Sequence, residues 1–286
     1  MPEAKSRPAI TIRDLTAIED IRKIPALERE VWMVDERESL PVLMLIAAKE
    51  AGSVLIGAFE GEQLIGFVFG FPGLEHGRVS IHSHMTAVRE QYRDLHIGYK
   101  LKLAQRERVL AMGVQEITWT FDPLQSRNAH FNFQKLGVVS DRYKIDFYGA
   151  ESSSVLHQNG TDRLWVTWPL SSPRVQARLR SHGNQAHLPP ALPLVRFNGD
   201  GRPARAELSD ALHRHRISIE IPGDIPSLQP KDPALAVEWR MATRWAFTEA
   251  LKNGFVVAEF FRNIRGQQGP GAYLLEKSAI GELCSQ

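Results

Sequence analysis

Cysteine is nearly absent: of 286 residues only Cys284 carries a thiol, so no disulfide can close within the chain, and a cytoplasmic setting is expected. Long apolar runs are missing too. No stretch reaches the roughly 18 apolar residues of a membrane-spanning helix, so none is expected, and the opening MPEAKSRPAITIRDL lacks the apolar core of a secretory signal. Neither sign of charge is in excess. The 35 Lys and Arg face 33 Asp and Glu, a net +2, which is too small a field to point to nucleic acid. Walker A, GxGxxG and GxSxG strings are lacking, which argues against nucleotide hydrolysis, dinucleotide chemistry and α/β-hydrolase chemistry. CxxC and HExxH are lacking as well, and no metal is expected. What is present is 43% hydrophobic and 24% charged, ordinary for a globular protein and long enough for two domains.

Periodicity predicts an α/β chain. Residues 10 to 13 read as a short strand. Ile18–Arg37 has helical spacing that Pro25 interrupts, and a further helix follows Pro41 and stops near Gly52. Val54–Glu60 and Gln63–Gly70 read as strands joined by a Gly61-Glu62 turn, and Val79–Val88 as a third. A helix from Ile97 to Met112 ends at Gly113, and Val114–Phe121 reads as a strand, a spacing that fits a parallel crossover. A shorter helix, Arg127–Leu136, ends at Gly137, and Tyr143–Tyr148 and Leu164–Trp168 close the unit. Residues 1–170 are therefore expected to form one domain. Residues 171–205, rich in Pro, Arg, Ser and Gly, read as a linker with one short helix, Pro173–His182. Residues 206–286 read as a further α/β region, with strands Ile217–Ile221, Phe255–Phe261 and Ala272–Glu276 and a helix carrying Leu235, Trp239, Ala242, Ala246 and Ala250. That order echoes the earlier one, Ile217–Ile221 standing for Val79–Val88 and Gly254 for Gly113, an echo that fits either a degenerate half-repeat or a chance recurrence of strand, helix and strand.

Two features carry chemistry. His82 and His84 lie two apart on a predicted strand and so share a face. A neutral imidazole suits proton removal near pH 7, which makes both candidate bases; the same spacing also fits a zinc site, for which a third ligand is missing. Downstream, Arg93-Asp94-Leu95-His96-Ile97-Gly98 stands at the start of a helix. First-turn N–H groups and the helix dipole favour an anion there, Arg93 adds a cation, and Gly98 permits close approach.

The loop resembles the acyl-CoA pyrophosphate loop of the GNAT acyltransferases, Q/R-x-x-G-x-G/A, with His96 in place of the first glycine. Asn128–Val138 is similar to the second motif of that family, N-x-x-A-x-x-L-Y-x-K-x-G-F: Ala129, Lys135, Leu136 and Gly137 match, while Phe133 replaces tyrosine. The strings HSHMTAV, LKLAQRERVLAMG, ITWTFDPLQSRNAHFN, KLG and DRLWVTW look like a branch of that family with an extra C-terminal region. The resemblance implies the GNAT fold, a mixed sheet with α/β layering, and direct acyl transfer from acetyl-CoA or succinyl-CoA to a small amine, with an amino acid among the acceptors. It implies His84 and His82 as catalytic bases. Thr86, Ala87 and Val88 would pair with pantetheine, Arg93, Asp94, Leu95, His96, Ile97, Gly98 and Tyr99 would cradle the phosphates, and Asn128 would line the cofactor cleft. A homodimer is expected, without nucleic acid or membrane partners. The alternative is a non-catalytic module that holds CoA.

Overall fold

The computed structural model describes residues 9–149, 159–181, 187–266 and 269–285. The chain forms two compact units, divided between Ile117 and Thr118. The first contains β1 (Ile10–Asp14), α1 (Ile18–Ile21), α2 (Ile24–Trp32), α3 (Val42–Glu50), β2 (Val54–Glu60), β3 (Gln63–Glu75), β4 (Arg78–Val88) and α4 (Ile97–Ala111). Pro25 sits in the first turn of α2, where its missing N–H costs nothing, and so it separates α1 from α2. The sheet runs β1-β2-β3-β4, each neighbouring pair antiparallel.

β2 is buried along almost its whole length, as a strand covered on both faces must be. On one face Leu55, Phe59, Leu64, Phe67 and Phe69 pack with Leu15, Ile21, Ile24, Leu27 and Leu45. Each such side chain contributes about 1.5–3 kcal/mol on burial. On the other face lies α4. A Cβ on Gly66 would stand 3.4 Å from Ile97 Cγ2 and 2.9 Å from the Ala87 carbonyl oxygen, so only glycine lets the helix lie this close.

β3 extends five residues beyond its expected end at Gly70. The β2–β3 ladder stops at Val54↔Gly70, so Pro72 lies past the reach of β2 and pairs with Ile81 of β4. A proline is tolerated where a strand has a neighbour on one side. His76 and Gly77, at φ 49° and 76°, close the β3–β4 hairpin as a type I′ turn requires.

The second unit begins within β5 (Glu116–Phe121) and continues with α5 (Ser126–His130), β6 (Val139–Lys144), β7 (Arg163–Pro169), α6 (Pro173–Ser181), β8 (Leu192–Phe197), β9 (Pro203–Arg205), α7 (Leu208–Leu212), β10 (Arg216–Ile221), α8 (Ile225–Leu228), α9 (Pro233–Lys252), β11 (Phe255–Phe261), β12 (Gly271–Lys277) and α10 (Ile280–Ser285). A π-helical segment, Phe131–Leu136, follows α5 directly. The strand order is β5-β7-β6-β11-β12-β10-β8-β9. β10 and β8 are parallel; β6–β7, β6–β11, β11–β12, β12–β10 and β8–β9 are antiparallel. α9 turns an alanine-rich face inward, with Ala236, Ala242, Ala246 and Ala250 buried beside Trp239 and Phe247. Phe247 stacks on Tyr143 at 5.3 Å and meets Tyr273 edge-on at 5.1 Å.

Two expectations need correction. Residues 171–205 are not merely linker, because β8 pairs with β10 and Val195 and Leu194 are buried. The end of the expected helix at His182 lies outside the described residues. β10 cannot stand for β4, because β12 lies between β10 and β11, as β7 lies between β5 and β6; its counterpart is β5. Among the described residues no helix is long and apolar enough to cross a membrane.

Candidate active site

β4 carries different chemistry on its two faces. His82 and His84 lie on one, half-buried, with ring centroids 6.4 Å apart. Phe71 stands 5.4 Å from His82 and 5.8 Å from His84, and Phe69 stands 6.5 Å from His84. The ladder with β3 passes from Phe69↔Met85 to Gly70↔Ser83, which leaves His84 as the extra residue of a bulge. A bulge re-aims the side chain it carries. Burial among the rings pushes the His84 imidazole below its usual 6.5, so the neutral form prevails at pH 7.

The opposite face holds a cluster that the sequence did not disclose. Ser83, Lys102 and Gln105 are all buried. Lys102 Nζ donates to Ser83 Oγ at 2.6 Å and to Gln105 Oε1 at 3.3 Å, and Ser83 Oγ donates to Gln105 Oε1 at 2.9 Å. Burial lowers the lysine pKa to about 7. Lys102 lies on α4 between the exposed Lys100 and the rest of a charged helix, yet it is buried. Its neighbours Ile97, Leu101, Gln105 and Val109, at helical spacing, are the buried stripe to which it belongs. A Cβ on Gly70 would come within 2.8 Å of Gln105 Nε2, so glycine there opens the space for the cluster.

Past Val88 the chain makes a 3-10 turn, Glu90–Leu95, and then His96 adopts φ 57°, ψ 26° before α4 begins at Ile97. The glycine that the resemblance expected at this position is therefore replaced by a residue held in left-handed backbone. Tyr92 pins the turn by donating to the Glu60 carboxylate. Arg93 is exposed, 4.0 Å from Glu90, a distance that holds neither in place. The first-turn N–H groups of α4 have no intrahelical acceptors, as in any helix, and the N-cap side chain of His96 meets none of them. Only Val88 Cγ2, at 3.9 Å, would touch a Cβ on Gly98, so no protein packing requires glycine there. An anion-binding start fits both facts. Thr86, Ala87 and Val88 pair with Val68, Phe67 and Gly66 of β3. The first unit thus brings together His82, His84, Thr86–Val88 and Arg93–Tyr99 along one strand and the turn that follows it.

Asn128 belongs to the second unit, exposed on α5. Phe133, at the tyrosine position of the second motif, is fully buried between Phe121 at 6.5 Å and Tyr273 at 5.8 Å, and it supplies no proton donor. Tyr143 donates to Asp162 Oδ2 at 2.7 Å, and burial drives its phenol well above 10. Asp122 accepts from the Leu124 amide at 2.9 Å and from Arg240 Nη2 at 2.8 Å, a buried ion pair. Among the described residues no group of three or more His, Cys, Asp and Glu is placed to hold a metal ion.

No protein-family model matches the chain, and no curated protein matches its sequence. Solved structures do resemble it. The ribosomal-protein-S18-alanine N-acetyltransferase from Escherichia coli aligns at 13% identity over 57% of this chain and 95% of its own, with a TM-score of 0.45. A GNAT-family acetyltransferase from Streptococcus pneumoniae aligns at 14% identity over 56% and 98%, with a TM-score of 0.44. The PaiA N-acetyltransferase from Thermoplasma acidophilum, in complex with coenzyme A, aligns at 17% identity over 56% and 99%, with a TM-score of 0.41. Each of the three alignments covers little more than half of this chain and nearly all of the other.

Proposed function

We propose that this protein is an acyl-CoA-dependent N-acyltransferase that moves an acetyl or succinyl group to a small amine, an amino acid among the candidates, by direct transfer. The observation that carries the proposal is the continuity of β4 with the turn at His96. One element presents a neutral, half-buried imidazole and then an uncapped helix start with an unfilled glycine position. The thioester supplies an electrophilic carbonyl and a tolerable leaving group. His84 takes a proton from the incoming ammonium, directly or through water, with His82 beside it. The amine nitrogen then bonds to the carbonyl carbon, and a backbone N–H of β4 near Thr86–Val88 stabilises the oxygen as charge gathers on it. When the C–S bond breaks, the nitrogen gives up its second proton to solvent to become the amide, and the leaving thiolate takes up one proton from solvent. The α4 start and Arg93 hold the phosphates.

A module that holds CoA without turnover is the second reading, and the buried Phe133, which offers no hydroxyl, favours it. Two measurements separate them. Thermal shift with CoA, acetyl-CoA and succinyl-CoA tests binding, where ligand at 100 times its Kd adds about 2.7 kcal/mol; no shift with any of them sinks both readings. Free-thiol release across amino acids and polyamines tests turnover. With His84 as base, kcat/KM falls as pH drops below 6.5, with a midpoint displaced to lower pH by burial. His84→Ala should remove that limb and leave CoA binding unchanged; an unaltered pH profile rules the residue out.

A further inference from the structure

The two ladders flanking the middle of the second unit's sheet match pair for pair. Gly137 and Gly254 each end a helical segment in left-handed backbone, at φ 78° and 81°, within Lys135-Leu136-Gly137-Val138-Val139 and Lys252-Asn253-Gly254-Phe255-Val256. Counting from these glycines, β6 and β11 differ by a constant sequence offset. In β6–β7 the pairs are Val139↔Thr167, Arg142↔Trp165, Tyr143↔Leu164 and Lys144↔Arg163. The β11 positions at that offset are Val256, Glu259, Phe260 and Phe261, and their observed partners Glu276, Leu274, Tyr273 and Ala272 stand at a second constant offset from Thr167, Trp165, Leu164 and Arg163. The irregularity agrees as well: one extra residue is inserted in β6 after Val139 and before Arg142, and one in β11 after Val257 and before Glu259. Bulges are specific local features, so their coincidence is not a property of antiparallel sheets in general.

Strand order supplies an independent check. β5-β7-β6 is followed by β11-β12-β10, the same sequence of counterparts in reverse. A two-fold axis produces such an order, and it must also bring a residue on the axis against its own counterpart. Ser140 and Val257 are counterparts by the glycine offset, and they are the residues that pair where β6 meets β11, antiparallel. Val139 and its counterpart Val256 pack in one cluster, with Ala258 and Leu283.

We infer that the C-terminal half is a second copy of the β5–β6–β7 half-unit, folded on the first across a local two-fold axis, and that it fills in cis the seat on the β6 edge which a second copy of this chain would otherwise take. An open β6 would be an edge strand with unpaired N–H and C=O groups, a template for association. β11 closes it within the chain, and Glu259 locks the seam by accepting from Gln134 at 2.9 Å and from Arg174 at 2.7 Å. The homodimer expected from the sequence would have to use another face. The inference does not depend on acyl transfer.

The test is covalent. Directly paired antiparallel residues lie about 4.5–5.5 Å apart at Cα, within reach of a disulfide. Ser140→Cys with Val257→Cys, in a Cys284→Ser background, should oxidise to an intrachain link and run as a single 32.2 kDa chain on a non-reducing gel. A product of twice that mass would show the seam forming between chains and would overturn the inference, as would thiols that stay free. Hydrogen exchange on the unmodified chain guards against a folding defect in the variant. The β6 and β11 amides should exchange at one slow rate on about hundredfold dilution, whereas protection that falls with concentration means assembly in trans.

Discussion

The two longest helices, α4 and α9, solve the same problems in opposite ways. Each follows a loop, packs one face on a sheet and buries a long basic side chain. α9 starts closed: Asp232 accepts from the Leu235 amide at 2.9 Å, and Pro233 in the first turn has no N–H to satisfy. α4 starts open, with no side-chain cap among the described residues and a left-handed histidine just before it. The buried cations differ likewise. Arg240 of α9 bonds the Asp122 carboxylate at 2.8 Å and the Asn159 carbonyl at 2.8 Å. Lys102 of α4 donates to a hydroxyl and an amide oxygen. α9 thus caps its start with one carboxylate and sets its buried arginine against another, whereas α4 begins without a side-chain cap and sets its lysine against a hydroxyl and an amide oxygen.

The sharpest break between them concerns these cations. Burial alone would lower the Arg240 pKa, but Asp122, Tyr143 and Asp162 together outweigh it and raise the pKa, so the guanidinium stays charged. Arg240→Met strands a buried carboxylate and should cost about 3–5 kcal/mol in urea unfolding. A loss below 1 kcal/mol would mean that Asp122 is already satisfied by the Leu124 amide. Lys102→Met should behave differently. The lysine's pKa is about 7 in the folded chain and 10.5 as a free side chain, so between those values the unfolded chain binds more protons and stability rises with pH, by up to ~1.4 kcal/mol per unit. Below pH 7 both states are charged and the full penalty of burial is present. Lys102→Met should flatten that rise and be the more stable protein at pH 6. A slope that persists unchanged would show that another group produces it.

Much of this was legible in the sequence, and the omissions have physical causes. The β2–β3 hairpin was marked by Gly61-Glu62, the α1–α2 break by Pro25 and the end of α9 by Gly254, because turn chemistry is local. The facing of His82 and His84 followed from strand geometry alone. The burial of Lys102 was not legible, because a charge within a helix reads as solvated until the stripe Ile97-Leu101-Gln105-Val109 is laid beside it. β8 was missed because Pro193 interrupts a short apolar run. The repeat was seen but matched to the wrong strand: helix and terminal glycine are local features, whereas the insertion of β7 and of β12 is a matter of sheet order, which no local pattern records.

The helix starts give the next test. Gly98→Asp places a carboxylate where the open end of α4 would hold phosphate, and it should weaken CoA binding about 100-fold, or ~2.7 kcal/mol, by calorimetry. A neutral change at the same site separates ligand from fold. Gly98→Ala meets only Val88 Cγ2 at 3.9 Å and should stabilise the helix by up to about 1 kcal/mol while CoA binding weakens. Gain of stability with unchanged affinity would remove Gly98 from the binding site.

The smallest effect is expected at His96, and it bears most directly on whether the open start of α4 is strained. Left-handed backbone costs an L-residue roughly 1 kcal/mol relative to glycine, and histidine at φ 57° is subject to it. Glycine also gains freedom when unfolded, which offsets part of the relief. His96→Gly should therefore change unfolding stability by less than about 1 kcal/mol in either direction. Its effect on CoA should be clearer. The amide at position 96 is retained, the imidazole and Cβ are removed from the turn, and the affinity should rise a few-fold. Weaker binding would mean that the imidazole itself contacts the ligand, so that the substitution of histidine for glycine is a specific feature of this chain and not a tolerated flaw in its phosphate loop.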